Sequence, residues 1–167
     1  MNDATDQLKP FPVSWDELHR HSKALAWRLH AAAPKGGWKG IVAVARGGLV
    51  PAAVIARELE VRLVETACVS SYDHQQQRAA QLLKPVIAEA GDGAGWLVID
   101  DLADTGNTLQ LMRKILPRAY FATVYAKPSG RPQVDSFMIE VSQDTWIYFP
   151  WDVELQFVQP ISTQKKE

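Results

Sequence analysis

One stretch constrains this chain more than any other: Trp96-Leu97-Val98-Ile99-Asp100-Asp101-Leu102-Ala103-Asp104-Thr105-Gly106-Asn107-Thr108. It opens as a short apolar run, β-branched at its end, of the kind that suits the middle of a parallel sheet. Two aspartates follow where such a strand leaves the sheet, and a third closes the turn. Small hydroxylated and glycine residues then stand where a helix should start. In open α/β sheets, ligands bind at the carboxyl ends of the strands. Backbone N–H groups and hydroxyls from Thr105 to Thr108 can meet an anion at the following helix N-terminus. Carboxylates beside such a cradle call for a cation between them. The stretch therefore asks for a phosphorylated, polyhydroxylated ligand and Mg²⁺.

The chain around it sets the scale. At 167 residues the prior is one domain with a sizeable core. Apolar content of 47% and charged content of 22% are ordinary for a soluble globular protein. A formal charge of −1 gives no electrostatic reason to expect nucleic acid as a partner. Cys68 is the single cysteine and sits in an apolar run, so it reads as a buried, inert thiol. The first residues are polar and acidic rather than signal-like, and no apolar run reaches the roughly 18 residues that span a bilayer. A reducing cytoplasm is the expected setting.

Residues 1–13 read as a loose N-terminal tail, 14–162 as one domain and 163–167 as a frayed C-terminal tail. Ser14 and Glu17 form a capping-box pattern, with Val13 and Leu18 placed as its hydrophobic staple. A helix then runs to about residue 32 with its apolar stripe on a sheet. His19, His21 and His30 on or near it read as solvated, since positions two apart do not share a helix face. Residues 40–45 form a buried strand, Arg46-Gly47-Gly48 a tight strand-to-helix turn, and 49–60 a helix that tolerates Pro51 in its first turn. Residues 62–71 are another strand. From Tyr72 to Gly95 the periodicity fades, which points to a lid or a hairpin; Leu82, Leu83, Val86 and Ile87 fit either a short strand or a helical turn. Residues 109–116 are helical, 120–126 and 137–141 are strands, and 154–158 a last short strand. Trp15, Trp27, Trp38 and Trp96 read as packing residues.

The motif Val98-Ile99-Asp100-Asp101-Leu102-Ala103-Asp104-Thr105-Gly106-Asn107-Thr108 resembles the phosphoribosyl-diphosphate signature of the type I phosphoribosyltransferases. Ala45-Arg46-Gly47-Gly48-Leu49-Val50-Pro51, Ser70-Ser71-Tyr72-Asp73-His74, Ala126-Lys127-Pro128 and Asp144-Thr145-Trp146-Ile147 through Pro150-Trp151-Asp152 resemble the bacterial xanthine-guanine branch of that family. The resemblance implies an α/β fold: a central, mostly parallel sheet flanked by helices, with a small hood and a mobile lid loop. It implies transfer of a 5-phosphoribosyl group from its diphosphate to N9 of a 6-oxopurine, with Mg²⁺ as cofactor.

Residue roles follow from the same resemblance. Asp100 and Asp101 would engage the ribose hydroxyls, with Asp101 and Asp152 near the metal. Asp104 would lie between the sugar and base halves, counted with the phosphoribosyl-diphosphate-binding residues, and sit by purine N7 to assist proton transfer. Thr105, Gly106, Asn107 and Thr108 would form the 5′-phosphate loop, where the family often has glycine at the Asn107 position; asparagine tolerates left-handed backbone and should preserve the loop. Arg46, Gly47 and Gly48 would bind diphosphate, with a non-proline cis peptide between Ala45 and Arg46. Arg78 would belong to the lid. Lys127 would donate to purine O6, Trp146 would stack on the base, and Ile147 would offer its carbonyl to the 2-position. Family likeness further implies a homotetramer and, for some members, peripheral association with the bacterial inner membrane.

Two other readings stand beside this one. A nucleotide-binding regulator on the same fold should carry a basic face, which the net charge does not favour. A Mg²⁺-dependent phosphohydrolase with Asp100 as nucleophile would leave Lys127 and Trp146 without a task.

Overall fold

The computed structural model describes residues 8–70, 80–153 and 162. Residues 40–45, 96–103 and 120–126 form three strands, β2 (Gly40–Ala45), β5 (Trp96–Ala103) and β6 (Tyr120–Ala126), at the centre of a six-stranded sheet. β3 (Val64–Ser70) and β4 (Gln81–Lys84) extend it on one side and β7 (Ser136–Glu140) on the other, in the order β4-β3-β2-β5-β6-β7. Every neighbouring pair is parallel except β3–β4. The ambiguous residues 82–83 thus lie on an antiparallel strand.

Strand alternation sorts the core into two layers. Ile41, Ala43, Leu97 and Ile99 face one side, against helices α1 (Trp15–Ala31) and α2 (Leu49–Glu58). Val42, Val44, Trp96 and Val98 face the other, against α3 (Asn107–Ile115). On α1, Leu18, Leu25 and Leu29 follow the helical stripe and are fully buried; each contributes about 1.5–3 kcal/mol by leaving water. The expected capping box starts α1: the Glu17 N–H donates to Ser14 Oγ at 3.2 Å and the Ser14 N–H donates to Glu17 Oε2 at 2.9 Å. The helix expected over 49–60 stops at Glu58, because Glu60 turns into the left-handed region at φ 53°.

Several local expectations are corrected. Part of the supposed loose tail is β1 (Lys9–Pro12), paired in parallel with β8 (Thr145–Tyr148) in a separate two-stranded sheet. Pro10 and Pro12 are tolerated there because, among the described residues, β1 pairs on one side only, with β8. The Lys9 N–H donates to the Asp144 carbonyl at 2.8 Å and the Val13 N–H to the Tyr148 carbonyl at 2.9 Å, which ties both ends of β1 to β8. Trp96 is core, but Trp27 is 74% exposed and Trp15 is 55% exposed. Trp15 packs edge-on to Trp151, which stacks on Phe149 at 4.9 Å. Cys68 is half-buried rather than buried. His21 is not simply solvated: its Nδ1 lies 2.9 Å from the Tyr125 hydroxyl. Tyr125 also meets Phe11 and Phe149 edge-on, so one β6 side chain anchors both β1 and the segment after β8. Among the described residues, no helix is long and apolar enough to cross a membrane.

Candidate active site

Register decides which strand ends share an edge. β2 runs beside β5 with Ala43 opposite Ile99, so two residues further along come Ala45 and Asp101. β5 runs beside β6 until Ala103 stands opposite Ala126. The residues that follow those strands, Arg46, Asp104 and Lys127, therefore emerge together at the carboxyl edge of the sheet.

After β2, the Ala45–Arg46 peptide is cis, as the resemblance implies. The turn can press against β5 only because it lacks side chains. A Cβ on Gly47 would overlap the Asp101 carboxylate, and one on Gly48 would overlap the carbonyls of Ile99 and Val44. Backbone bonds hold the turn, with the Gly48 N–H donating to the Val44 carbonyl at 2.8 Å.

At the end of β5 the acids are crowded. The Asp101 N–H donates to Asp100 Oδ1 at 2.9 Å, and Asp100 is only 8% exposed. Burial, reinforced by the neighbouring Asp101 charge, pushes the Asp100 carboxyl well above the usual carboxylate range. Burial pushes Asp101 up to about 6, with the charge of Asp152 acting in the same direction. Asp152 is itself raised by burial, while its bond from the Phe149 N–H at 3.1 Å and the Arg46 charge oppose that rise. Asp101 thus feels the charge of Asp152, and Asp152 that of Arg46. Among the described residues, no group of three or more His, Cys, Asp or Glu side chains is arranged to hold a metal.

Beyond Asp104 the chain turns into α3. The left-handed residue of this loop is Gly106, at φ 87°, and not Asn107. Asn107 is instead the first helical residue, so the asparagine needs no unusual backbone. Gly106, at the N-cap of α3, has no side chain to bond the first turn, and the Asn107 N–H makes only a long 3.5 Å bond to Thr105 Oγ1, so an anion can meet the N–H groups of this helix start. Thr105 and Asn107 are exposed here, and Thr108 is half-buried.

Lys127 is 3% exposed, and its Nζ pairs with Asp104 Oδ1 at 3.1 Å. Its backbone N–H donates to the Ala103 carbonyl at 2.9 Å, fixing the start of its loop to the end of β5. Gln143 Nε2 donates to the same Asp104 Oδ1 at 3.1 Å, while Gln143 Oε1 accepts from the Ser129 N–H at 3.0 Å. No local pattern marks Gln143, because both of its partners come from distant segments. Trp146 and Ile147 lie on β8 opposite Pro10 and Phe11. Ile147 is buried in the core layer shared with α1, and Trp146 is half-buried. Arg78 lies outside the described residues.

Comparison with known proteins identifies the family. Residues 14–158 match the family described as phosphoribosyl transferase domain. The xanthine-guanine phosphoribosyltransferase of Nitratidesulfovibrio vulgaris (strain Hildenborough) is 60% identical, covering 100% of this chain and 99% of that protein. The chain belongs to the xanthine-guanine phosphoribosyltransferase family. The Desulfotalea psychrophila member is 58% identical over 94% of this chain and 96% of its own length. The fold extends to more distant relatives. A purine phosphoribosyltransferase from Pyrococcus horikoshii superposes with a TM-score of 0.71 at 24% identity, covering 92% of this chain and 99% of that one. The xanthine-guanine-hypoxanthine phosphoribosyltransferase of Helicobacter pylori gives 0.69 at 24% identity, covering 86% and 94%. The Arg46-Gly47-Gly48 turn, Asp100 and Asp101, the loop from Thr105 to Thr108 and Lys127 all reach one edge of the sheet.

Proposed function

We propose that this enzyme transfers the 5-phosphoribosyl group of 5-phosphoribosyl diphosphate to N9 of guanine, xanthine and, less well, hypoxanthine. The products are GMP, XMP or IMP and diphosphate. The observation that carries the reading is the Lys127–Asp104 pair, set beside the Asp100–Asp101 strand end. Such a pair would set a buried cation and a carboxylate against adjacent positions on one purine edge.

In the transfer, the bond from ribose C1 to diphosphate breaks and its electron pair leaves with the diphosphate. N9 of the base forms the new bond to C1, and positive charge on the ribose ring is greatest in between. Asp100 and Asp101 would accept from the ribose hydroxyls. The N–H groups at the start of α3 would bind the 5′-phosphate, and Arg46, Gly47 and Gly48 the diphosphate, with Arg78 closing over it. Lys127 would donate to O6 and Asp104 would take the proton that the base sheds, at N7. Trp146 would cover the base face, and the Ile147 carbonyl would meet the 2-substituent.

Asp101 and Asp152 fit a divalent cation: both carboxyls are pushed up by burial, and a positive charge beside them would relieve that. The scarcity of protein ligands is no obstacle for Mg²⁺, which keeps waters and substrate oxygens in its shell. When bound, Mg²⁺ supplies charge neutralisation for the departing diphosphate. Homotetramer assembly belongs to the same reading, and the exposed Trp27 and Leu49 offer apolar surface for it. Cytoplasmic residence with peripheral membrane association is carried by family likeness alone. The test is diphosphate release from 5-phosphoribosyl diphosphate with guanine, xanthine, hypoxanthine or adenine. Release with the three 6-oxopurines and little with adenine is expected; no release at saturating Mg²⁺ overturns the proposal.

A further inference from the structure

Gln143 stands between β7 and β8, outside every motif that marks the site. Its side-chain amide has no freedom to flip. The Ser129 N–H can only donate, so it faces Oε1; the Asp104 carboxylate can only accept, so it faces Nε2. The two ends of one amide thereby join the loop that carries Lys127 to the carboxylate that Lys127 pairs with. Both donors to Asp104, Lys127 Nζ and Gln143 Nε2, fall on Oδ1. Among the described residues, no donor meets Oδ2.

We infer that Gln143 is a positioning residue: its Nε2–H holds Asp104 Oδ1 so that Oδ2 is presented to the purine, and its Oε1 keeps the Lys127 loop in step. This rests on the transfer reading above, in which Asp104 meets N7 and Lys127 meets O6. The structure adds a division of labour. Lys127 has two acceptors to serve, Asp104 and the incoming O6. Once its ammonium turns toward O6, Gln143 remains as a donor on Oδ1. The carboxylate keeps its orientation at the moment it receives the proton, and a hydrogen bond to a charged acceptor is stronger than one between neutral groups.

Two substitutions separate the donor from the loop clamp. Gln143→Ala removes both bonds. Gln143→Glu keeps an oxygen for the Ser129 N–H but sets a second carboxylate against Asp104. Steady-state kinetics with guanine as the varied substrate, and separately with 5-phosphoribosyl diphosphate varied, provide the readout. Gln143→Ala is expected to lower kcat/KM for guanine on the order of tenfold, and Gln143→Glu by more than Gln143→Ala. KM for 5-phosphoribosyl diphosphate should stay within about twofold, since that half of the site does not touch Gln143. A Glu variant no worse than the Ala variant overturns the inference, because a simple clamp would tolerate glutamate. A parallel rise in KM for 5-phosphoribosyl diphosphate also overturns it, as damage to the whole site. Turnover by the unsubstituted chain with indifferent Gln143 variants removes this inference alone. No turnover by the unsubstituted chain removes the transfer reading, and this inference falls with it.

Discussion

Lys127 Nζ pairs with Asp104 Oδ1 at 3.1 Å, and the lysine side chain is only 4% exposed while the aspartate side chain is 35% exposed. A cation this buried is held by its carboxylate partner, and the partner is the more open of the two. The pair faces the carboxyl edge of the sheet, where adjacent strand ends Ala103 and Ala126 stand opposite each other.

Removing the cation tests base recognition. Lys127→Ala should cut kcat/KM for guanine by about 10²–10⁴, because an O6 acceptor would enter the pocket without its donor. The ratio of guanine to adenine turnover should collapse with it. Wild-type kinetics for both bases would remove Lys127 from the O6 contact.

Replacing the carboxylate tests proton transfer. In Asp104→Asn the amide oxygen can still accept from Lys127 and Gln143, so the local geometry is retained. The expected loss is about 10²–10⁴ in the single-turnover rate, with the Kd for 5-phosphoribosyl diphosphate little changed. An unaltered single-turnover rate would exclude Asp104 as the proton acceptor.

The strand-end acids predict a pH dependence of stability. Asp101 titrates near 6 in the folded chain, above the usual carboxylate value of 3.8. Between those two values the folded state binds more protons than the unfolded one, so unfolding free energy falls as pH rises. The stabilisation is complete below 3.8 and gone once pH passes through about 6. Asp100 is raised as well and acts in the same direction. Thermal unfolding without Mg²⁺ should therefore show a smaller decline in Tm from pH 4 to 6.5 for Asp101→Asn than for the parent. Identical slopes would show that Asp101 is not the titrating group.

Strand β1 predicts a coupling between the N-terminus and the purine subsite. Deleting residues 1–12 removes the partner of β8, which carries Trp146 and Ile147. Loss of even about 1–2 kcal/mol would lower Tm by roughly 2–8 °C in a chain of this size. KM for guanine should rise several-fold while KM for 5-phosphoribosyl diphosphate holds. Equal effects on both constants would deny β1 a specific role in holding the base.

Much of the frame was legible along the chain. The runs at Gly40–Ala45 and Tyr120–Ala126 end where their apolar character ends, because strands buried on both faces read as continuous apolar segments. The α1 start was legible in Ser14 and Glu17, whose capping bonds reach only three residues. β1 was not. Lys9–Pro12 has two prolines and no apolar alternation, and its pairing partner begins at Thr145. Trp27 reads as core by composition yet lies on the solvent side of α1, because the stripe of Leu18, Leu25 and Leu29 already faces the sheet.

Within the site the same boundary runs between near and far. The order of acids, glycines and threonines from Asp100 to Thr108 already marked a strand end with carboxylates and a tight turn into a helix, since cap, turn and strand-end preferences act over a few residues. The union of that turn with Lys127, and of both with Gln143, arises from the packing of the sheet. It depends on β5 and β6 aligning at Ala103 and Ala126, and on the β7–β8 connection folding back over their ends. Such contacts join residues 14 to 39 positions apart, and periodicity carries no record of them.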